Sequence, residues 1–370
     1  MDILAQAKKL SEQGKEIYHL EVGEPDFPTA ESIVAAGVDA LNAFKTHYTP
    51  ALGLPALREA IADYYQRKFS IDISSERIIV TPGASGALQL AISCLLDAGD
   101  NVLLTDPGYP CNKNIAEVLA AEGISVPVDA KSGYQLDAKR VIDNWNDKTR
   151  AAMVATPSNP TGTLLPKQQL LELCKAVEQK KGRLIVDEIY QGLVYDGNDY
   201  TALSVSDECF VINSFSKYFG MTGWRVGWMV VPDVYVDAID RIAQNIFLAP
   251  PTMSQYAALT ALKTDTQLIL DERRDIFKQR RDFLLPVIKQ LGFDVAVKPQ
   301  GAFYIYANCE RFTNDSFNWV KQLLDEQGVA LTPGIDFGEN MANRYCRFAY
   351  TQSLEVLEQA MGKVESFINK

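Results

Sequence analysis

Lys217 is the residue of this sequence with the most distinctive chemistry, because it lies in a small, hydroxyl- and glycine-rich loop with Arg225 eight positions further on. A lysine held among apolar neighbours and near another cation has a lowered pKa, and its neutral amine can attack an aldehyde. An aldehyde cofactor that carries a phosphate would need this amine to form a Schiff base, and an arginine and hydroxyl groups to bind the phosphate. Pyridoxal 5′-phosphate (PLP) is that cofactor. A solvated lysine beside a structural arginine is the other interpretation of this loop taken alone.

A second segment, from Gly83 to Ser85, suits an anion. Its residues follow a short apolar strand and open a helix, so their backbone N–H groups and the helix dipole favour a negatively charged ligand. Gly83 and Ala84 are small enough for a ligand to approach the backbone closely, and Ser85 adds a hydroxyl. Because such a turn is also a common way to start a helix, it gains meaning only together with Lys217.

The bulk composition limits the classes of function. The chain has 370 residues, 47% of them hydrophobic, which is enough for a large core, and its formal net charge is −11. Such an acidic chain is a poor partner for nucleic acid or for an anionic membrane.

The six cysteines show no C-x-x-C spacing, so neither a metal site nor a disulfide framework is indicated, and we expect reduced thiols in a cytoplasmic protein. The N-terminal helix is too polar for a signal peptide, and the apolar runs are too short to span a bilayer.

Short apolar strands that alternate with helices predict an α/β fold. Continuous apolar strands indicate a mostly parallel sheet that is buried on both faces and flanked by helices. The expected strands are 77–81, 101–105, 151–155, 183–186 and 210–213, with helices at 30–44, 55–69 and 167–180. Ligands bind beyond the carboxyl ends of such strands. Each polar loop of interest follows one of them, namely 83–85, 106–110, 156–162, 187–190 and 214–217.

After about residue 265 the sequence changes character. A long charged helix is followed by shorter strands and helices, which predicts a smaller α+β domain. The elements expected there are a helix at 265–291, strands at 293–297, 302–306, 329–332 and 345–349, and helices at 314–327 and 353–368. We therefore expect a large domain over residues 26–265, and a small domain that combines residues 1–25 with residues 266–370.

Seven segments, in order, resemble the motifs of the class I/II aminotransferases, the fold-type I PLP enzymes related to aspartate aminotransferase. They are 23–27, 48–53, 159–162, 187–190, 214–227, 301–304 and 347–350. The resemblance covers nearly the whole chain. It implies a PLP-dependent aminotransferase that moves an amino group between an L-amino acid and a 2-oxo acid by a ping-pong mechanism.

The resemblance also implies the catalytic residues, which are Lys217, Asp187 and Tyr190. In the family the lysine forms the internal aldimine with PLP and later moves a proton between the substrate carbon and the cofactor. Asp187 would pair with the pyridine nitrogen, which keeps the ring protonated and able to take up electrons. Asn159 and Tyr190 would donate hydrogen bonds to the phenolate oxygen.

Contacts to the rest of the cofactor follow from the same likeness. Ser214 and Arg225 would bind phosphate oxygens together with Gly83, Ala84 and Ser85. The aromatic ring of Tyr109 would stack on the cofactor ring.

Substrate and subunit contacts are implied as well. Arg347 would form a bidentate pair with the substrate α-carboxylate, in a pocket that Gly23 and Asn159 also line. Tyr48 matches a tyrosine that reaches the phosphate of the neighbouring subunit, which implies a homodimer with shared active sites.

One departure from the family concerns the substrate. The best-known branch places a second arginine shortly before a Pro-Pro pair to bind a distal carboxylate, and alignment on Pro250 and Pro251 puts Gln244 there. A preference for dicarboxylates is therefore not predicted, and Leu248 with Gln244 slightly favours an apolar or mixed one. Aspartate, alanine, aromatic and sulfur amino acids stay open as donors.

We also expect any N-terminal arm that crosses to a partner subunit to be short or absent.

Three other classes of protein share features with this sequence. A PLP-dependent carbon–sulfur lyase acting by β- or γ-elimination uses much the same residues, although the segments 23–27 and 159–162 look more like the transaminase pattern. A non-catalytic PLP-binding regulator would resemble this chain fused to a DNA-binding helix-turn-helix, and we expect no such segment before residue 1. A hydride-transfer enzyme is rejected, since no G-x-G-x-x-G follows a strand.

Overall fold

The computed structural model describes residues 2–370, in which strands and helices alternate along most of the chain. The strands are β1 (Tyr18–His19), β2 (Ile78–Thr81), β3 (Asn101–Asp106), β4 (Glu122–Pro127), β5 (Thr149–Ala155), β6 (Arg183–Asp187), β7 (Phe210–Ser214), β8 (Gly227–Val230), β9 (Tyr304–Asn308), β10 (Val329–Ala330), β11 (Thr332–Pro333) and β12 (Tyr345–Ala349). The α-helices are α1 (Asp2–Glu12), α2 (Glu31–Asn42), α3 (Pro55–Phe69), α4 (Gly83–Leu95), α5 (Pro110–Val118), α6 (Ala138–Asn144), α7 (Lys167–Gln179), α8 (Val236–Ile246), α9 (Thr252–Ala261), α10 (Thr264–Leu291), α11 (Ser316–Gln327) and α12 (Leu354–Ile368).

The largest sheet has seven strands in the order β2-β8-β7-β6-β5-β3-β4. Strand β8 pairs antiparallel with both β2 and β7, whereas the other neighbours in this sheet pair parallel. Helices pack on it, for example α4 against β7 and β8, and α7 against β6. The predicted α/β class with a mostly parallel sheet is confirmed.

Two separate apolar layers cover the faces of this sheet. Within β6, Ile185 packs in one layer, while Leu184 and Val186 pack in the other. This alternation follows from the two-residue repeat of a strand. Every residue of β7 is buried, which explains why 210–213 has the continuous apolar sequence of a strand covered on both faces.

The C-terminal third of the chain builds a second, smaller sheet. Strands β9, β11 and β12 form an antiparallel sheet in the order β11-β12-β9, and β1 pairs parallel with β10. Helix α1 packs against α11 and β10. On the central strand β12, Arg347 lies opposite Thr332 of β11 and Tyr306 of β9. The small sheet therefore fixes the position of Arg347.

Three strand predictions need correction. Residues 293–297 do not form a strand, because a single bridge joins Asp294 to Asn308 before the chain turns away. The strand predicted at 302–306 is β9 and starts only at Tyr304, since Ala302 has a φ of +56° and donates its N–H to Leu193 instead. The run 329–332 divides between β10 and β11, which belong to different sheets.

The site-bearing loops all follow strands of the large sheet. Strands β2, β3, β5, β6 and β7 run in the same direction, so their carboxyl ends meet at one edge. Between residues 2 and 370, no helix has the length and apolar character needed to cross a membrane.

Candidate active site

The carboxyl ends of the parallel strands open into a cleft of about 380 Å³. Most of the predicted site residues line it, namely Gly23, Ala84, Ser85, Tyr109, Asn159, Asp187, Tyr190, Ser214, Lys217, Arg225 and Arg347. Gly83 lies directly behind the cleft against Arg225. Tyr48 does not line the cleft of its own chain, and it is 81% exposed. Folding therefore brings together residues from both ends of the sequence.

Lys217 places its amine deep in the cleft. Its Nζ donates a hydrogen bond to the carbonyl oxygen of Gly23 at 2.7 Å. Burial, and then the positive charges of Arg347 and Arg225, lower the pKa of Lys217 to about 8. A substantial share of this amine is therefore neutral near pH 8, and a neutral amine is a nucleophile and a base.

Asp187 presents a carboxylate to the same cleft from the last position of β6. The residue is 5% exposed, and its Oδ1 accepts a hydrogen bond from the backbone N–H of Ile189 at 3.0 Å. Burial raises the pKa of Asp187 to about 6, with the N–H of Ile189 and the charge of Lys217 opposing the shift. A cationic ligand group beside this carboxylate would compensate its burial.

The N-terminus of α4 forms an anion-binding cradle. Helix α4 begins at Gly83 with no side-chain cap, so the N–H groups of its first turn have no capping partner. Ser85 and Ser214, which both carry hydroxyl groups, line the same cleft. Backbone N–H groups, hydroxyls and the helix dipole together favour a phosphate here.

Arg225 completes this cradle through a close contact that requires glycine. Gly83 has a φ of +71°, and a Cβ there would lie 2.8 Å from a terminal nitrogen of Arg225. A Cβ on Gly227 would lie 2.8 Å from the carbonyl carbon of Gly83. The backbone of Arg225 has the left-handed conformation, with a φ of +53°, and its guanidinium donates a hydrogen bond to the carbonyl oxygen of Thr222. The two glycines let the guanidinium lie directly against the helix N-terminus.

Arg347 is a buried cation, 6% exposed, and among residues 2–370 no carboxylate forms an ion pair with it. Its terminal nitrogens donate to Asn159 Oδ1 at 2.8 Å and to the carbonyl oxygen of Glu21 at 2.6 Å. Its Nε is buried without a hydrogen-bond partner. The rings of Tyr304 and Phe337 lie 4.1 and 4.8 Å from its guanidinium carbon. An oriented guanidinium with a free N–H is suited to a carboxylate ligand.

Tyr304 also lines the cleft, and the sequence alone did not predict a role for it. Its hydroxyl lies 2.8 Å from the hydroxyl of Tyr190, and both rings are buried. A Cβ on Gly23 would lie 2.0 Å from the Tyr304 hydroxyl, so the glycine makes room for it. The family-like segment 301–304 contains Tyr304, but a local segment of sequence does not reveal which side chains this tyrosine contacts.

The donor set fits a phosphorylated pyridine aldehyde such as PLP. A lysine amine suits the aldehyde, a buried carboxylate suits a protonated ring nitrogen, and the α4 cradle with Arg225 suits the phosphate. Tyr109 and Ile189 line the cleft between them and offer apolar surface for a ring. These groups carry positive charge locally, although the whole chain carries −11.

Comparison with known proteins agrees with this geometry. The family model described as aminotransferase class I and II matches residues 15–364. A (5-formylfuran-3-yl)methyl phosphate transaminase of Methanocaldococcus jannaschii is 38% identical over 100% of this chain and 96% of the relative. A valine–pyruvate aminotransferase of Mycobacterium tuberculosis is 35% identical over 100% of this chain and 95% of the relative. The crystal structure of an aminotransferase from Mycobacterium tuberculosis superposes with a TM-score of 0.96 at 35% identity, covering 100% of this chain and 96% of that one.

The buried carboxylate of Asp187 predicts a pH-dependent cost in stability. Its folded pKa of about 6 lies above the ordinary 3.8, so the free energy of unfolding falls as pH rises through this window. Replacing Asp187 with Asn in cofactor-free protein should raise the free energy of unfolding by roughly 2–3 kcal/mol at pH 8, and by less towards pH 4. Denaturant unfolding at several pH values measures this. The exposed Asp147→Asn is the control and should change little, and a gain at Asp187 that does not vary with pH would contradict the assignment.

Proposed function

The chain belongs to the aminotransferase class I and II family, and from that premise we propose that it transfers an amino group between an L-amino acid and a 2-oxo acid with PLP held at Lys217. The observation that carries this proposal is the composition of one cleft. A lysine amine with a lowered pKa, a buried carboxylate and a buried arginine without an ion pair all face it. The lysine matches the aldehyde of PLP, the carboxylate matches its ring nitrogen, and the arginine matches the carboxylate of an amino acid.

When bound, PLP supplies an aldehyde that reacts with amines and a ring that withdraws electrons from the substrate carbon. The chain supplies the proton transfers. Lys217 Nζ acts first as nucleophile and then, as a neutral amine, accepts and returns the proton of the substrate carbon. The carbonyl oxygen of Gly23, which accepts its hydrogen bond at 2.7 Å, orients the amine.

We propose that Asp187, Asn159 and Tyr190 control the protonation and hydrogen bonding of the PLP ring. We propose that the Asp187 carboxylate holds a proton on the ring nitrogen, since a negative charge in a buried site stabilises a cation beside it. Asn159 uses its Oδ1 to accept from Arg347, which leaves its Nδ2 free to donate to the ring oxygen. Tyr190 is held by Tyr304 in a position to donate to the same oxygen.

Arg347 is proposed to bind the α-carboxylate that every amino-acid substrate carries. Its unpartnered Nε supports this role, and the bonds to Asn159 and Glu21 fix the plane of the guanidinium. Because a carboxylate would neutralise a buried charge, substrate binding would remove an electrostatic cost.

The residues of the cleft also support the proposed division of the chain. We propose a large PLP-binding domain over residues 26–265 and a small domain formed by residues 1–25 and 266–370. The pairing of β1 with β10 and the packing of α1 on α11 join the two parts of the small domain. Gly23 and Arg347 would then reach the cleft from the small domain, and Asp187 and Lys217 from the large one.

An exposed apolar surface supports a homodimer. Helix α2 and the residues after it expose Val34, Val38, Leu41, Phe44 and Tyr48, each by 41% or more. Large contiguous apolar patches are characteristic of protein interfaces. We propose that a second copy of the chain covers this surface and that Tyr48 reaches the phosphate of the partner's site.

The proposed setting of the enzyme is the cytoplasm, with small amino and 2-oxo acids as its substrates. All six cysteines are free, which suits a reducing compartment.

Amino transfer itself is tested by supplying PLP and a panel of L-amino acids with 2-oxoglutarate or pyruvate. We expect a new amino acid to form from the acceptor, and Lys217→Ala to lose roughly a thousandfold or more of this rate. The exposed Lys180→Ala is the matched control and should keep the rate. Release of ammonia and a 2-oxo acid without an acceptor would instead indicate an eliminating lyase, and PLP binding without turnover would indicate a regulator.

Arg347→Ala should weaken recognition of all amino donors alike. Loss of a charged contact in a desolvated site should lower kcat/KM by on the order of a few hundredfold, and PLP affinity should stay nearly unchanged because the phosphate lies elsewhere. Arg344→Ala, which removes a half-exposed partner of Glu310, is the control. Steady-state kinetics and PLP titration measure both quantities. An equal loss of PLP affinity would argue against a substrate role.

Shared active sites predict complementation between two defective chains. Lys217→Ala and Tyr48→Phe subunits carrying different tags would form a heterodimer with one doubly altered site and one intact site. At limiting PLP this heterodimer should show about half of the wild-type activity, above both parent homodimers. Activity no higher than that of the parents, or a fully active monomer in sedimentation, would contradict the shared site.

A further inference from the structure

Cys174 and Cys209 form a close pair of buried thiols outside the cleft. Cys174 lies in the middle of α7, Cys209 directly precedes β7, and their Sγ atoms are 3.5 Å apart. Both thiols are free. Since the sulfur atoms of a disulfide lie about 2.05 Å apart, an approach of roughly 1.5 Å would join them. The proposed transamination uses neither residue.

A narrow crevice connects this pair to the surface. Both cysteines line it together with Glu178, Gly182 and Ser206, and its volume is about 10 Å³. Cys174 is 5% exposed and Cys209 is 1% exposed. A space of this size is close to that of one water molecule. A small oxidant therefore has a path to Cys174, whereas a bulky thiol such as glutathione does not.

The hydrogen bond between the two thiols makes them chemically unequal. This hydrogen bond lowers the pKa of Cys174, whereas the same bond and burial raise the pKa of Cys209 well above its ordinary value. Oxidants react with the thiolate form. Cys174 is thus the thiol that reacts first, and Cys209 lies within reach of its product.

We propose that Cys174 and Cys209 are a modification site for hydrogen peroxide, which converts the pair into a reversible intramolecular disulfide. The Cys174 thiolate attacks the O–O bond, takes one oxygen to become a sulfenic acid, and releases hydroxide. Cys209 then attacks the sulfur of this sulfenic acid, the S–S bond forms, and the oxygen leaves as water. In total, two thiols lose two electrons and two protons, and one peroxide is reduced to two molecules of water.

The position of the pair predicts the effect of this cross-link. Cys209 lies at the start of β7, whereas Ser214 at its end lines the cleft, so the pair lies at the opposite edge of the sheet. The disulfide would tie α7 to β7 and close the segment 174–209, which contains β6. A closed segment restricts the unfolded chain, so the oxidised protein should be more stable. Its activity should be retained.

The test treats the full-length protein with hydrogen peroxide, blocks remaining thiols, and maps peptides by mass spectrometry without reduction. We expect a single cross-link between the peptides of Cys174 and Cys209, an intact mass lower by about 2 Da, and reversal by dithiothreitol once the protein has been unfolded. The Tm of the oxidised protein should exceed that of the untreated protein by a few degrees. A sulfinic acid at Cys174 without a cross-link, a cross-link elsewhere, or no reaction would overturn the proposal.

Two alanine variants sharpen the result. In Cys209→Ala, the sulfenic acid of Cys174 has no resolving thiol, and dimedone should label it when the oxidised protein is unfolded in the presence of this reagent. Cys309→Ala is the matched control, because Cys309 and Cys346 also interact but are both 0% exposed, and it should leave the cross-link intact. Loss of the cross-link in this control would overturn the assignment. If Cys209→Ala folds poorly, the peptide map of the wild-type chain still shows whether peroxide joins Cys174 to Cys209. This result does not depend on whether the protein is an active transaminase.

Discussion

Charges brought into one cleft without pairing with each other are the constraint on which the rest of this structure depends. Within residues 2–370, Lys217, Asp187 and Arg347 form no ion pair among themselves, although all three line the cleft. Withdrawing a charge from water costs several kcal/mol, and this cost appears in the lowered pKa of Lys217 and the raised pKa of Asp187. Side chains in such surroundings keep their positions only if the scaffold around them is rigid.

The two sheets provide that rigidity in different ways. The large sheet holds Asp187 and Ser214 at the ends of strands whose neighbours on both sides are hydrogen-bonded and whose faces are covered by apolar layers. The small sheet holds Arg347 on its central strand, and backbone and side-chain oxygens of Glu21, Thr332 and Asn159 fix the guanidinium. The cleft lies where these two rigid parts meet, so its geometry depends on their contact as much as on any single residue.

The sequence predicted the buried parallel strands of the large sheet well, but it missed the buried antiparallel strand β8 and predicted the peripheral strands poorly. Strands β6 and β7 lie within one residue of the predicted 183–186 and 210–213, because burial on both faces leaves a continuous apolar run. The edge strand β4 was not predicted, since its exposed and buried residues alternate and it contains Gly123 and ends at Pro127. Most proposed site residues were predictable because their motifs are local. The role of Tyr304 depends on contacts with Gly23 and Tyr190, which are distant in sequence, and no local pattern encodes such contacts.

Lys217 and Arg225 belong to one loop whose two ends are hydrogen-bonded strands, with Ser214 opposite Gly227 and Asn213 opposite Trp228. A loop closed by a ladder at both ends has a fixed contour length. An inserted or deleted residue between the lysine and the arginine would leave either the amine or the guanidinium in place, but it would displace the other. The spacing of these two residues is therefore set by the closure of a β-hairpin, and the length of this loop belongs to the site as much as its side chains do.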